Sequence, residues 1–376
     1  MYDVLVVGLG AVGSATVYEL AARGASVVGI DAFSPPHTLG STHGRSRIIR
    51  EAYFEHPSYV PLVQRAFARW AALEKASGAA LYRRTGGLSI GLPGCELVEG
   101  VMRSAREHAL EVETLSRDAL AARFPAFALD PDMVGVFERN AGMLAPEECI
   151  RAFLTAAAAH GAQLRTGERV ETIRRTGAGF LASNQRTQVE ARRVVLCAGA
   201  WSTPLLASLG IDIPLVVTRQ TMHWLERRGD AHLRSPQRFP VTLIDHGNDR
   251  VFYAMPDTGD GLKAAIHHEG DETTPDVVER AILPSDTQPV QALAERFLPA
   301  VAAPIAESVV CLYTNTADHD FAIGIPRAAP GIVVVSACSG HGFKFASAIG
   351  EAAAQLALEQ PVEMDLSHFD VDRFAD

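Results

Sequence analysis

Hydrophobic and polar positions divide this chain into two kinds of segment. Residues 4–7 form an unbroken apolar run, too short for a helix and suited to a strand covered on both faces. A glycine-rich turn at 8–13, an alanine-rich helix at 14–23 and a second strand at 26–30 complete a βαβ unit. Helical spacing returns at 60–76, 97–108 and 147–160, with strands expected between these stretches. Residues 194–196 read as an apolar strand running into Ala198, Gly199, Ala200 and Trp201, a return to the first sheet. From 214 to 310 the texture changes to short β-rich stretches, such as 241–244 and 251–254, separated by Gly, Asp and Pro turns. That segment predicts a second, mainly antiparallel sheet. A buried strand at 331–335, the loop Ser339-Gly340-His341-Gly342 and a helix from 343 to about 358 close the chain in the form in which it opened. The expected fold class is α/β, a Rossmann-like βαβ domain that the chain leaves and re-enters, with a second α+β domain containing the antiparallel sheet. The boundaries fall at 1–85, 145–213 and 319–376 for the first domain, and at 86–144 and 214–318 for the second.

A length of 376 residues allows two domains or one large composite, and 48% hydrophobic with 21% charged residues excludes global disorder. The formal charge of −10 repels phosphodiesters and anionic lipid heads, and no basic run offsets it, so neither nucleic acid nor a membrane is an expected partner. No apolar stretch reaches the ~18 residues of a membrane span, and Asp3 stands where a secretory segment would be basic. Cys95, Cys149, Cys197, Cys311 and Cys338 lack metal-ligand spacing, and an odd count does not suggest a disulfide framework. A cytoplasmic setting without a metal site is expected.

Gly8-x-Gly10-x-x-Gly13 lies directly between a strand and a helix, where glycines allow the tight turn and close approach of a pyrophosphate to the helix amides. Asp31 ends the next strand, in place to accept hydrogen bonds from ribose hydroxyls and to disfavour a 2′-phosphate. A tight βα turn would explain the glycines alone; strand, helix and acid together point to dinucleotide binding. NAD and FAD both satisfy that motif. The strand and loop at 194–201 and the closing glycine-rich βα turn add two further approaches to one extended ligand, which favours FAD.

Separate blocks then carry a family likeness: Asp31-Ala-Phe-Ser-Pro-Pro-His37, Gly40-Ser-Thr-His-Gly-Arg-Ser-Arg-Ile-Ile-Arg50, Gly261-Leu-Lys263, Cys311-Leu-Tyr-Thr314 and Ser339-Gly-His-Gly-Phe-Lys-Phe345. Nearly end to end, the chain resembles the sarcosine oxidase and N-methyltryptophan oxidase family of D-amino-acid-oxidase-like flavoproteins. The resemblance implies FAD held covalently through Cys311, and carries cofactor-binding positions onto Gly8, Gly10, Val12, Gly13, Asp31, Ser41, Arg47, Val170, Ala198, Gly199, Trp201, Gly340, Gly342 and Lys344. It implies that Arg50 and Lys344 clamp a substrate carboxylate, that Tyr253 and Tyr313 line the substrate pocket, and that His43, Arg47 and His267 stand beside the flavin. Lys263 matches the lysine that serves oxygen at the flavin face. Each residue has a plainer reading. Cys311 could be an inert core thiol, Lys263 a turn lysine, the tyrosines sheet packing, and His43, Arg45, Arg47 and Arg50 a solvated basic loop.

What the resemblance implies is a monomeric amine oxidase that takes a small amino acid substrate, sarcosine or a related N-methyl amino acid, and oxygen, giving an imine and hydrogen peroxide. Ser336-Ala337-Cys338 and Gly324 depart from the family pattern and bear on the pocket wall. Three alternatives stay open: an oxidase of a bulkier secondary amino acid, a dehydrogenase using another acceptor, and a flavin-binding module without turnover.

Overall fold

The computed structural model describes residues 1–374. Its first sheet has eight strands. The opening strand Tyr2–Val7 lies between Val27–Asp31 and Gln188–Leu196, parallel to both, and Gln163–Thr166 continues the sheet beyond Val27–Asp31. Ile332–Ser336 pairs in parallel with the end of Gln188–Leu196, while the hairpin Thr172–Thr176 and Gly179–Ser183 extends the other edge antiparallel. The apolar run of the opening strand is explained by its position. Val4 and Val6 pack under a layer of helices, whereas Leu5 and Val7 join Ile173, Phe180 and Leu205 on the opposite face. The helix layer contains Ala11–Ala22, Tyr59–Ser77, Pro146–Ala159 and Ala346–Ala357. Its alanines let helices approach closely: a Cβ on Gly350 would stand 2.4 Å from that of Ala15.

The second sheet has nine strands, ordered Glu272–Thr273, Val216–Leu225, Lys263–Ile266, Val251–Met255, Val241–Asp245, Gly87–Gly91, Val134–Glu138 and Val112–Leu115, with Ile305–Asn315 on the other side of Val216–Leu225. Every pairing is antiparallel except Val241–Asp245 with Gly87–Gly91. Period-two alternation decides which residues face away. Phe252 and Ala254 pack into a core with Val290, Ala294 and Phe297, while Val251, Tyr253 and Met255 point to the opposite face with Leu243.

Two elements differ from the sequence reading. The stretch 214–310 contains a helix, Pro284–Phe297, whose Val290, Ala294 and Phe297 face the core at helical spacing behind an N-terminal proline. The closing helix opens with a 3₁₀ turn, Phe343–Phe345, before Ala346–Ala357, because the chain first seats Lys344 and Phe345 in the interior. A small third sheet joins Arg47–Ile49 and Tyr82–Arg84 through Gly142–Leu144. It fixes the chain that carries Arg47 and Arg50.

Candidate active site

A cleft of about 910 Å³ is lined by residues of both sheets, near the upper end of small-molecule sites and suited to an extended ligand. At one end stands the glycine turn. Gly8 has φ +90° and a Cβ there would meet the Cys197 carbonyl oxygen at 2.4 Å, while a Cβ on Gly13 would meet the Gly8 carbonyl oxygen at 1.8 Å. The turn between strand and helix therefore closes only with glycine at both positions. A Cβ on Gly10 would find nothing nearer than the Thr42 hydroxyl at 3.6 Å, so this side of the turn is open to a ligand. Asp31 ties the turn to the next strand: its Oδ2 accepts from the Leu9 amide at 2.7 Å and its Oδ1 from the Phe33 amide at 2.8 Å. The same end is bridged by Asp276, which accepts two hydrogen bonds from Arg169, at 2.8 and 2.9 Å, and one from the Trp201 indole at 2.9 Å.

Further along, Arg47 and Cys311 meet. The Arg47 guanidinium donates to the Ser41 carbonyl at 3.0 Å and lies 3.6 Å from the Cys311 sulfur. Burial pushes the Cys311 thiol up, with Arg47 and Lys263 opposing it. Tyr313 follows Cys311 by two residues on the same strand, so both project into the cleft. The Tyr313 hydroxyl is 3.0 Å from His267 Nδ1. Burial, then His268, keeps His267 well below its ordinary value, and burial raises Tyr313, so both are neutral near pH 7.

Two cations converge beyond this wall. Arg50 and Lys344 both lie over the Tyr53 ring, at 4.2 and 5.0 Å from its centroid. Lys344 Nζ donates to the Tyr53 hydroxyl at 3.1 Å and to the His341 carbonyl at 2.7 Å. Burial, then the Arg50 charge, pushes Lys344 down to about 7, although Glu55 works the other way. Arg50 donates to both oxygens of Glu55, at 3.0 and 2.8 Å. Burial alone would raise Glu55, but Arg50, His341 and Lys344 outweigh it and hold the carboxyl below its ordinary range.

Of the positions to which the resemblance carries a binding or catalytic role, all but three line this one cleft, whereas Gly324 packs against Val371 away from it. Gly8, Gly10, Val12, Asp31, Ser41, Val170, Ala198, Gly199 and Trp201 line it towards the glycine turn and the Asp276 bridge, and Arg47, Arg50, Tyr253, His267, Cys311, Tyr313, Gly340, Gly342 and Lys344 line the rest. Gly13 is inside the turn, and His43 and Lys263 stand behind the wall. Lys263, 1% exposed, donates through Nζ to the carbonyls of Gly44 and Ser46 at 2.9 and 2.8 Å. Burial, then Arg47, holds it well below its ordinary value. His43 Nε2 is buried with no hydrogen-bond partner among the described residues, and burial with Arg47 lowers its pKa to about 3. The plainer readings of Arg47 and Arg50 as solvated and of Lys263 as exposed do not describe this structure.

Sequence reasoning missed Glu55 and Tyr53, and with them any role for His341, whose Nδ1 lies 2.7 Å from the Tyr53 hydroxyl. A glutamate five residues after Arg50 was the available signal for one of these, but only burial turns that spacing into a pair.

A family model described as DAO, FAD dependent oxidoreductase, matches residues 3–356. Monomeric sarcosine oxidase of Bacillus sp. (strain B-0618) is 36% identical, over 99% of this chain and 96% of that protein. N-methyl-L-tryptophan oxidase of Yersinia pestis (strain Pestoides F) is 33% identical, over 99% of each. Among solved structures, the open form of NikD, an unusual amino acid oxidase essential for nikkomycin biosynthesis, superposes with a TM-score of 0.87 at 24% identity, covering 98% of this chain and 97% of that one. Glycine oxidase from Geobacillus kaustophilus gives 0.85 at 20% identity, covering 100% and 99%. These two show a shared fold.

Proposed function

The chain belongs to the DAO family of FAD-dependent oxidoreductases, and from that premise we propose that it oxidises sarcosine or a related N-methyl amino acid with oxygen as acceptor. The observation that carries this reading is the pair of buried cations, Arg50 and Lys344, set beside a neutral wall of Tyr253, Tyr313 and His267 in the cleft that also holds the glycine turn. A carboxylate bound by the two cations is fixed in orientation. The amine then lies against uncharged groups.

The residues present fit FAD. The open side of Gly10, the Asp31 carboxylate and the Ala198–Trp201 loop would hold its dinucleotide part, and Cys311 would hold the ring through a thioether beside Arg47. Bound there, FAD would supply the redox chemistry, two-electron oxidation of the carbon–nitrogen bond with oxygen as the final acceptor and peroxide as its product. The chain's own groups orient substrate and place charge. Arg47 keeps positive charge in the cleft wall, and the released imine hydrolyses to amino acid and aldehyde. Lys263 fastens the Gly44–Ser46 turn from behind, and its assignment to oxygen rests on the family resemblance.

Phe54, Leu243 and Met255 give the cleft an apolar flank and favour a second substrate class, N-methyl amino acids with larger apolar side chains. Rates of peroxide formation across N-methyl amino acids of increasing size separate the two classes. The discontinuous division at 1–85, 145–213 and 319–376 against 86–144 and 214–318 is proposed as the domain structure, since each of the two large sheets draws its strands from one set and only the small third sheet joins the two. A monomeric cytoplasmic enzyme is proposed on the name of its sarcosine oxidase relative and on five free cysteines. Among the described residues no helix is long and apolar enough to cross a membrane.

The decisive experiment is acid denaturation of purified protein and of Cys311→Ala. Yellow colour pelleting with the wild-type chain and released from the variant is the expected result, together with oxygen uptake on sarcosine. Colour released from both removes the thioether. A colourless protein that takes up no FAD overturns the whole reading.

A further inference from the structure

The segment that carries Arg50 runs from Arg50 to Glu55 with neither helix nor strand to hold it. Its support comes from another part of the chain. Glu138, the last residue of the strand Val134–Glu138, is 7% exposed and turns its carboxylate onto this segment. One oxygen accepts the Glu51 amide at 2.7 Å and the other the Ala52 amide at 2.9 Å. The carbonyl of the same Ala52 accepts from Arg50 Nη1 at 3.0 Å. Residue 52 is therefore held on one side by Glu138 and itself holds the guanidinium on the other. Ser104 donates to the Tyr53 carbonyl, and a Cβ on Gly100 would stand 2.2 Å from the Phe54 carbonyl oxygen, so the neighbouring helix Glu96–Glu107 closes the same seat.

We infer that Glu138 is a positioning residue for substrate: by fixing the peptide groups of Glu51 and Ala52 it places the Arg50 guanidinium where a substrate carboxylate is bound. The inference rests on the reading of Arg50 as part of that clamp. Only a carboxylate suits the position. Two adjacent amides need two acceptor oxygens, and a glutamine offers one, turning its NH₂ against the second amide. Burial works against the charge on Glu138, and although the two amides, with Arg50 behind them, pull the other way, it stands raised at about 7. The seat and the clamp are thus coupled.

The test is a double-mutant cycle on holoenzyme: wild type, Glu138→Gln, Arg50→Lys and the double variant, each with steady-state kinetics on sarcosine and with acetate titrated against the visible flavin spectrum. Glu138→Gln is expected to raise KM and the acetate Kd together by about tenfold, the factor for one charge-assisted hydrogen bond, with kcat within about twofold. In the Arg50→Lys background the same change should add less than about twofold, because the group it positions has already been altered. A full tenfold effect in both backgrounds, or a fall in kcat at constant KM, refutes positioning through Arg50. An Arg50→Lys enzyme with wild-type KM and acetate affinity instead removes the clamp reading, and this inference with it. If Glu138→Gln yields no folded holoenzyme, Glu138→Asp carries the same cycle, with an expected KM rise of about threefold that disappears in the Arg50→Lys background.

Discussion

The Arg50 guanidinium is already occupied, and that sets up a quantitative prediction for Glu55→Gln. Glu55 contacts it through both oxygens at 2.8 and 3.0 Å, in a position where its own charge is maintained by Arg50, His341 and Lys344. A substrate carboxylate must displace this internal anion or share the cation with it. Opposite charges about 4 Å apart interact by about 4 kcal/mol at an effective dielectric of ~20, whereas a neutral amide in the same place keeps one hydrogen bond of about 1 kcal/mol. Desolvation and the 18% exposure of the Glu55 side chain reduce the difference. A gain in anion affinity of about 1.5–3 kcal/mol remains, or roughly a 10- to 100-fold lower Kd. Titrating acetate into Glu55→Gln holoenzyme and following the flavin spectrum measures it directly. An unchanged or weakened acetate Kd refutes the idea that Glu55 competes for the clamp.

Three further outcomes follow from individual residues. Lys344, held at about 7, carries its charge below that pH and loses it above, so acetate binding should weaken as pH rises through 7, with log Kd climbing by up to about one per pH unit. Lys344→Arg, cationic throughout, should flatten that profile, and a slope that survives it assigns the titration to another group. Lys263→Met removes a buried amine that is fastened to two carbonyls; reoxidation of the reduced enzyme by oxygen, followed by stopped flow, should slow on the order of a hundredfold while anaerobic reduction by substrate changes little. Gly13→Ala puts a methyl group 1.8 Å from a backbone oxygen, so unfolding in urea should show a loss of more than about 2 kcal/mol, with FAD released on purification; a wild-type midpoint would contradict the close packing of the turn.

The elements, and the directions in which they point, were legible along the chain. A four-residue apolar run followed by spaced glycines can only make a covered strand and a tight turn, and Asp31 then falls beside that turn. Alternation along strands also sent Tyr253, Cys311 and Tyr313 into the cleft, since side chains two apart share a face. The helix Pro284–Phe297 carried a legible signal too, Pro284 followed by Val290, Ala294 and Phe297, which the surrounding turn residues obscured. Tertiary structure alone decided the charges. Arg50 and Lys344 meet over Tyr53, Glu55 occupies the clamp, Glu138 seats it from another sheet, and Lys263 faces two carbonyls behind the wall. Periodicity and turn chemistry are fixed by neighbours a few positions away, so they can be read along the chain. The desolvation of a charge, and the partner that compensates it, depend on segments brought together only when the sheets close over one another.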